Sequence, residues 1–250
     1  MNYRKKVNLI NLKEKPGFLI FFILLILIQD TFLSGITIPE SSRSKKVIKK
    51  LTPKLEKDFK NKGLTLGNPV FLRIFKDKKE LEVWVKKGDK YKLFKKYWIC
   101  YFSGGIVTKT KEGDSKSPEG FYFVRPGQLN PWSSYHLSFN IGYPNRYDRA
   151  HGYTGGEIMV HGNCVSIGCY AMTDKRIEEI FTIIHKAYEN GQPFFRIHIF
   201  PFKMIDNNLA KYKNTKWNSF RRNLKEGYEY FEKHKVPPDV SVRNKKYIFD

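Results

Sequence analysis

The sequence predicts an α+β fold, mainly antiparallel and β-rich, with a few helices and a helical C-terminal extension. Three observations carry this reading. Between residues 70 and 102, apolar side chains alternate with polar ones along several short runs separated by polar turns. Residues 125–156 are rich in Pro, Gly, Asn and Tyr and read as long ordered loops. Two stripes of helical spacing follow, one across residues 177–188 and one across residues 217–231.

Taken in order, the chain begins with Arg4, Lys5, Lys6, Lys13 and Lys15, followed by an apolar run from Phe18 to Ile28. A cationic flank before an apolar run is the pattern of a secretory signal. The run falls short of the ~20 residues of a typical membrane span, but extension to Leu33 would make a marginal anchor. Cleaved signal and retained anchor both leave the positive flank inside and carry the remainder across the membrane. Residues 1–35 are therefore expected to direct the chain to the periplasm, either secreted across the inner membrane or anchored in it. Residues 36–66 read as a basic linker. Within it Val47, Leu51, Leu55 and Phe59 recur every four residues, a helical stripe interrupted by Pro53.

Phe71 to Phe75 predicts a strand, and Lys76 to Lys79 a polar turn. Leu81, Val83 and Val85 then share one face, with Glu82 and Trp84 on the other. Gly88-Asp89 is a turn signal, Tyr91 and Leu93 resume the alternation, and Tyr97 to Phe102 predicts a further strand with Cys100 as a small buried hydrophobe. Gly104-Gly105 opens a polar loop that ends at Ser117-Pro118-Glu119-Gly120, ahead of the strand Phe121 to Val124. The long loops up to residue 156 are functional or disordered by length, and their Trp and Tyr content favours order. Glu157 to His161 alternates again, a short strand that delivers His161 at its end. Thr173 or Asp174 caps the helix of residues 177–188, and Gly191 stops it. Phe194 to Phe200 is the next strand, Trp217 to Phe231 the second helix, and Val240 to Phe249 an extended tail after Pro237-Pro238. A β-rich domain over residues 67–205 and a helical extension over residues 206–250 complete the expected organisation.

The formal net charge is +22. Such an excess draws a protein toward polyanions. No zinc-finger spacing or RNA-binding aromatic signature accompanies it, so the charge reads as solvated surface and no nucleic-acid partner is expected. The three cysteines, Cys100, Cys164 and Cys169, are too few and odd in number for a disulfide framework, so at least one thiol stays free. Cys164 reads as a packing residue or an occasional redox partner. A bridge from Cys164 to Cys169 would quench any nucleophile there. His136, His185, His198 and His234 show no metal-ligand spacing, so neither metal nor cofactor is expected, and His185 and His198 read as satisfied packing residues.

The chemistry concentrates in His161-Gly162-Asn163-Cys164-Val165-Ser166-Ile167-Gly168-Cys169. Cysteine is a strong nucleophile as thiolate, so it needs a base or a positive field beside it, and a histidine supplies either. Gly168 lets the backbone turn sharply before the sulfur. Amide N–H groups around such a turn can hold an oxyanion. The segment thus reads as an acyl-transfer site, with Cys169 as nucleophile, His161 as general base and acid, and Gly168 and Ser166 in oxyanion-binding or orienting roles.

The Ser166-Ile167-Gly168-Cys169 run, preceded by His161-Gly162 at a strand end, resembles the signature of YkuD-type L,D-transpeptidases. Ser117-Pro118-Glu119-Gly120 is similar to the Thr/Ser-Pro-x-Gly segment of that family. Asp148 to Tyr153, Cys169 to Thr173 and Phe200-Pro201-Phe202 resemble its YafK-like branch. The resemblance implies a YkuD-like catalytic domain acting on peptidoglycan stem peptides through a Cys169 thioester. It also implies hydrolysis as an alternative outcome, since that branch includes members that release the outer-membrane lipoprotein from peptidoglycan. A non-catalytic cationic module that binds the envelope is a third reading. Two features depart from the family pattern. Ile167 stands where many members have histidine, and His161 precedes Cys169 by eight residues, whereas the common spacing is near eighteen. His151 stands eighteen before it and competes as base. The strand that delivers His161 favours that residue.

Overall fold

The computed structural model describes residues 37–250, so the expected signal or anchor lies outside the described residues. Residues 36–250 form one compact unit. Eleven strands and five α-helices make it an α+β fold: α1 Ser42–Asn61, β1 Val70–Phe75, β2 Glu80–Lys87, β3 Lys90–Trp98, β4 Gly120–Val124, β5 Leu129–Asn130, β6 Ser138–Asn140, α2 Arg146–Ala150, β7 Met159–His161, β8 Tyr170–Ala171, α3 Asp174–Glu189, β9 Phe195–Phe200, α4 Asp206–Lys211, α5 Asn218–His234, β10 Val240–Arg243 and β11 Lys246–Phe249.

The larger sheet has the order β3-β2-β1-β9-β4 and the smaller β5-β6-β7-β8, with β10 and β11 as a separate pair. Six of the eight strand pairs are antiparallel, and the parallel ones are β1 with β9 and β7 with β8. Strand β1 is buried along its whole length, and its side-chain alternation serves both faces. Val70, Leu72 and Ile74 join the main core under α1 and α3. Phe75 joins a second core with Phe220, Leu224 and Tyr228 of α5, and Phe71 packs with Phe231 of the same helix.

The basic stretch, expected as a linker with some helix, carries a helix of 20 residues that runs through Pro53 and forms part of the main core. Ser41 caps it, accepting from the Ser44 N–H at 3.1 Å. Pro53 removes one intrahelical bond, at a cost of about 3 kcal/mol. Burial of Val47, Ile48, Leu55 and Phe59, at about 1.5–3 kcal/mol each, outweighs that cost. The strand expected from Tyr97 divides: β3 ends at Trp98, and Tyr101 leaves for the smaller sheet, where it bridges to Ala171. The expected tail is the β10–β11 hairpin, turning at Asn244-Lys245 with both φ angles positive, 49° and 58°, a two-residue turn with left-handed central residues. Cys100 is no packing thiol: it forms a disulfide with Cys164.

His198 is likewise unlike the satisfied residue expected. Neither of its ring nitrogens has a partner, and the rings of Phe71 and Phe121 each lie 4.7 Å away. Burial holds its pKa well below the ordinary value, so the ring is neutral. His185 Nε2 lies 3.0 Å from the Glu40 carboxylate, but neither of its ring nitrogens makes a hydrogen bond among the described residues.

Candidate active site

The parallel pair β7–β8 sets the frame. Val160 lies opposite Tyr170, and His161 opposite Ala171. One residue back, Met159 meets Cys169, and the Met159 N–H donates to Cys169 Sγ at 3.3 Å. Cys169 lies one residue before β8, and its sulfur turns toward the Met159 and Glu157 backbone on the way into the strand that delivers His161. Strand spacing and a two-residue offset put the His161 and Cys169 Cα atoms about 8 Å apart.

His161 is buried. Its Nδ1 lies 2.6 Å from the Gly162 carbonyl oxygen. A carbonyl only accepts, so Nδ1 carries the proton and donates, leaving Nε2 as the basic nitrogen. The Tyr135 ring covers the imidazole at 4.7 Å. Burial lowers the His161 pKa below its ordinary value, partly opposed by the Gly162 carbonyl.

Glycine at 162 is dictated by close packing. A Cβ there would lie 2.5 Å from Asp174 Oδ1 and 2.9 Å from the Tyr135 carbonyl oxygen. The same Asp174 oxygen accepts from the Asn163 N–H at 2.9 Å, and the Gly162 N–H donates to Tyr135 O at 3.0 Å. The loop carrying Tyr135 is held by Arg43 of α1, which donates to Ser133 O and His136 O at 3.0 and 2.6 Å. The helix within the expected linker therefore supports the loop over the imidazole.

The turn before Cys169 is built by Ser166. Its hydroxyl donates to Cys169 O at 2.7 Å and accepts from the Gly168 N–H at 3.1 Å. Gly168 has φ +148°, a conformation that residues with a Cβ rarely adopt. The structure thus uses Ser166 to hold the turn and occupies the Gly168 amide. The Cys169 N–H has no acceptor among the described residues. Cys169 itself is the free cysteine and is half-buried. Its thiol points toward Glu157 O at 3.6 Å. Burial pushes its pKa up, the Met159 N–H opposes this, Glu157 adds to it and Lys109 opposes it.

Two supports were not legible locally. The first is the Cys100–Cys164 disulfide, Cα–Cα 5.3 Å, which ties the loop between His161 and Cys169 to the residues after β3. The second is Lys76, expected in an exposed turn but fully buried. Its ammonium donates to Ser117 O at 2.8 Å, Val107 O at 2.9 Å and Glu119 Oε1 at 3.0 Å. Burial pushes Lys76 down and Glu119 up, and each charge opposes the shift of the other. The Ser117 hydroxyl donates to Cys169 O at 3.2 Å, and the Tyr170 hydroxyl to Pro118 O at 2.6 Å. The Ser-Pro-Glu-Gly segment therefore backs Cys169 and β8, with Lys76 beneath it. Lys76→Met leaves Glu119 buried without its partner and is expected to cost about 3–5 kcal/mol. Thermal melting checks this, and adding Glu119→Gln should recover part of the loss.

His151 sits elsewhere. Its ring stacks on Tyr147 at 4.1 Å, and its Nδ1 lies 2.9 Å from Tyr147 O. Ile167, in the position where many relatives of the motif have histidine, is 88% exposed. Among the described residues one group of three could hold a metal: Glu40, His185 and Glu189, with donor atoms within 4.8 Å of one another. Lys45 and Lys186 already pair with its two carboxylates.

Residues 71–199 match the family model of the YkuD L,D-transpeptidase catalytic domain. Over 197 residues the chain is 47% identical to YafK of Escherichia coli strain K12, an L,D-transpeptidase by name, covering 79% of each chain. YafK of Escherichia coli O157:H7 gives the same figures. Among solved structures, the helical cell shape determining protein Pgp2 of Campylobacter jejuni aligns at TM-score 0.44 and 19% identity, over 71% of this chain and 73% of that one. Bd1075 of Bdellovibrio bacteriovorus aligns at TM-score 0.39 and 19% identity, over 71% and 78%. By the family-model match over residues 71–199 and 47% identity to YafK over 79% of its length, the chain belongs to the YkuD family of L,D-transpeptidase catalytic domains.

Proposed function

We propose that this protein is an exported cysteine acyl transferase that acts on peptidoglycan stem peptides through a thioester on Cys169. Membership of an L,D-transpeptidase family supports peptidoglycan as the substrate. The single observation that supports the mechanism is a free thiol beside β7, Cys169 Sγ accepting from the Met159 N–H two residues before His161. Export rests on the cationic flank and apolar run of residues 1–35, and it places the catalytic domain in the periplasm.

His161 Nε2 takes the Cys169 thiol proton as sulfur attacks the carbonyl carbon of the scissile amide. The Cys169 N–H, free of other acceptors, stabilises the oxyanion, a contact of a kind that contributes about 2.7–4 kcal/mol. The C–N bond breaks, and the His161 proton passes to the leaving amine. A thioester remains. An amine acceptor, or water, then attacks the thioester, giving its proton to His161, and the C–S bond breaks as the Cys169 sulfur leaves and takes that proton back. The first acceptor gives cross-linking and the second hydrolysis, including release of a lipoprotein joined to the stem peptide.

Both shifts at the site favour a neutral resting pair, since burial lowers His161 and raises Cys169. The sign is direct: protonated His161 cannot accept a proton, so kcat/KM falls as pH drops through a pKa below the ordinary 6.5. Alkylation of Cys169 by iodoacetamide should rise with pH through an apparent pKa above 9.0. A thiolate already formed near neutral pH would instead show rapid alkylation there, and would replace general-base catalysis with an ion pair.

The function is tested by incubating the protein with muropeptides, and separately with sacculi that carry bound lipoprotein. Mass spectrometry then separates cross-linked dimers, hydrolysed stems and released lipoprotein. The proposal expects at least one of these products to form. None forming with correctly folded protein would contradict it.

A further inference from the structure

The outward face of α1 carries a feature that catalysis does not use. The helix buries Ser44, Val47, Ile48, Leu55 and Phe59 against the core. At about 100° per residue, Lys46, Lys49, Lys50, Lys57 and Lys60 all fall within about 60° of the line opposite that buried face. All five are exposed. Among the described residues none of the five reaches a carboxylate: the acidic partners near the helix are taken by Lys45 and Lys54. At 1.5 Å per residue the row from Lys46 to Lys60 is about 21 Å long. Among the outward-facing positions only Glu56, at its edge, carries a negative charge.

A straight row of ammonium groups along the crest of a packed helix is complementary to a flat anionic surface. The stripe carries no aromatic side chain on which a base could stack, which separates it from single-stranded nucleic-acid platforms. Its place in the chain points the same way. Thirteen residues separate Ile28, the end of the apolar run, from Ser42. Thirteen residues reach at most about 45 Å, so an apolar run held in a bilayer keeps α1 close to the lipid surface and raises its effective concentration there.

We propose that this lysine stripe is a docking surface for the anionic headgroups of a phospholipid bilayer. Lipid contact through the stripe adds to whatever the N-terminal segment supplies, and it is independent of the acyl-transfer chemistry. Each lysine near an anionic bilayer is expected to strengthen binding about fivefold. Binding weakens as salt screens the charges.

The test uses residues 37–250, which contain every cluster of the cores described above, with folding verified by thermal melting. Partitioning is measured on vesicles of phosphatidylcholine alone, on phosphatidylcholine with about one-third phosphatidylglycerol, and on purified peptidoglycan sacculi. One variant changes Lys46, Lys49, Lys50, Lys57 and Lys60 to Gln, a good helix former. A control variant makes the same change at the exposed Lys86, Lys87, Lys90, Lys245 and Lys246, so both lose equal charge. The proposal expects binding to the anionic vesicles that falls more than tenfold in the stripe variant and less than threefold in the control. Turnover of soluble muropeptides should be unchanged in both, which keeps this result separate from the catalytic reading. Equal losses in the two variants would overturn the proposal in favour of net charge alone. Equal binding to neutral vesicles, or binding to sacculi without binding to anionic vesicles, would overturn it as well.

Discussion

Cys169→Ala is expected to abolish turnover of muropeptides, with a loss of about 10⁴-fold or more, while the protein stays folded. The sulfur is the group that forms and breaks the bond to the acyl carbon, so no neighbouring group replaces it. The structural loss is small by comparison. Alanine gives up the Met159 N–H contact at 3.3 Å and the Glu157 carbonyl contact at 3.6 Å on a half-buried side chain. The disulfide does not involve this residue and stays intact. The melting temperature should therefore move by only a few degrees, an effect of about 1 kcal/mol. Steady-state assays with a melting curve on the same preparation separate chemical loss from unfolding.

His161→Ala is expected to lower kcat by about 10²–10⁴-fold, the range for loss of a general acid–base group. The pH profile adds a signature that misfolding would not produce: the acid limb assigned to His161 disappears. His161 is fixed from two sides, by the Gly162 carbonyl at Nδ1 and by the Tyr135 ring. His151→Ala should leave kcat within a few-fold of the parent, because that ring is committed to Tyr147 in the second core. The reverse pattern, loss with His151→Ala and retention with His161→Ala, would move the base to position 151.

How much of this was legible in the sequence varies with the range of the interaction that decides each element. Period-two alternation gave β1 and β2 because one strand face is decided by neighbours in sequence. The helical stripes gave α3 and α5 for the same reason. The His-Gly pair and the Ser-x-Gly-Cys turn were visible because their geometry is local: Ser166 bridges Gly168 and Cys169 within four residues. Elements fixed by distant partners were read differently. Pro53 broke the stripe of α1, but tertiary burial holds that helix together. Lys76 looked like a turn residue. Its burial depends on acceptors 31 to 43 positions away, and no local pattern signals that. The Cys100–Cys164 bridge joins residues 64 apart and forms because residues 99–102 leave the larger sheet for Ala171. The β10–β11 turn at Asn244-Lys245 lacks the glycine that usually marks such a hairpin.

The central claim is that a bond forms between Cys169 sulfur and the acyl carbon of a stem peptide. Rapid mixing with a muropeptide, acid quench and peptide mapping by mass spectrometry tests it most directly. The account predicts an acyl adduct on the peptide that contains Cys169, formed and consumed at rates compatible with turnover and absent in Cys169→Ala. Full turnover in Cys169→Ala, or turnover with the acyl group found only on another residue, would contradict it.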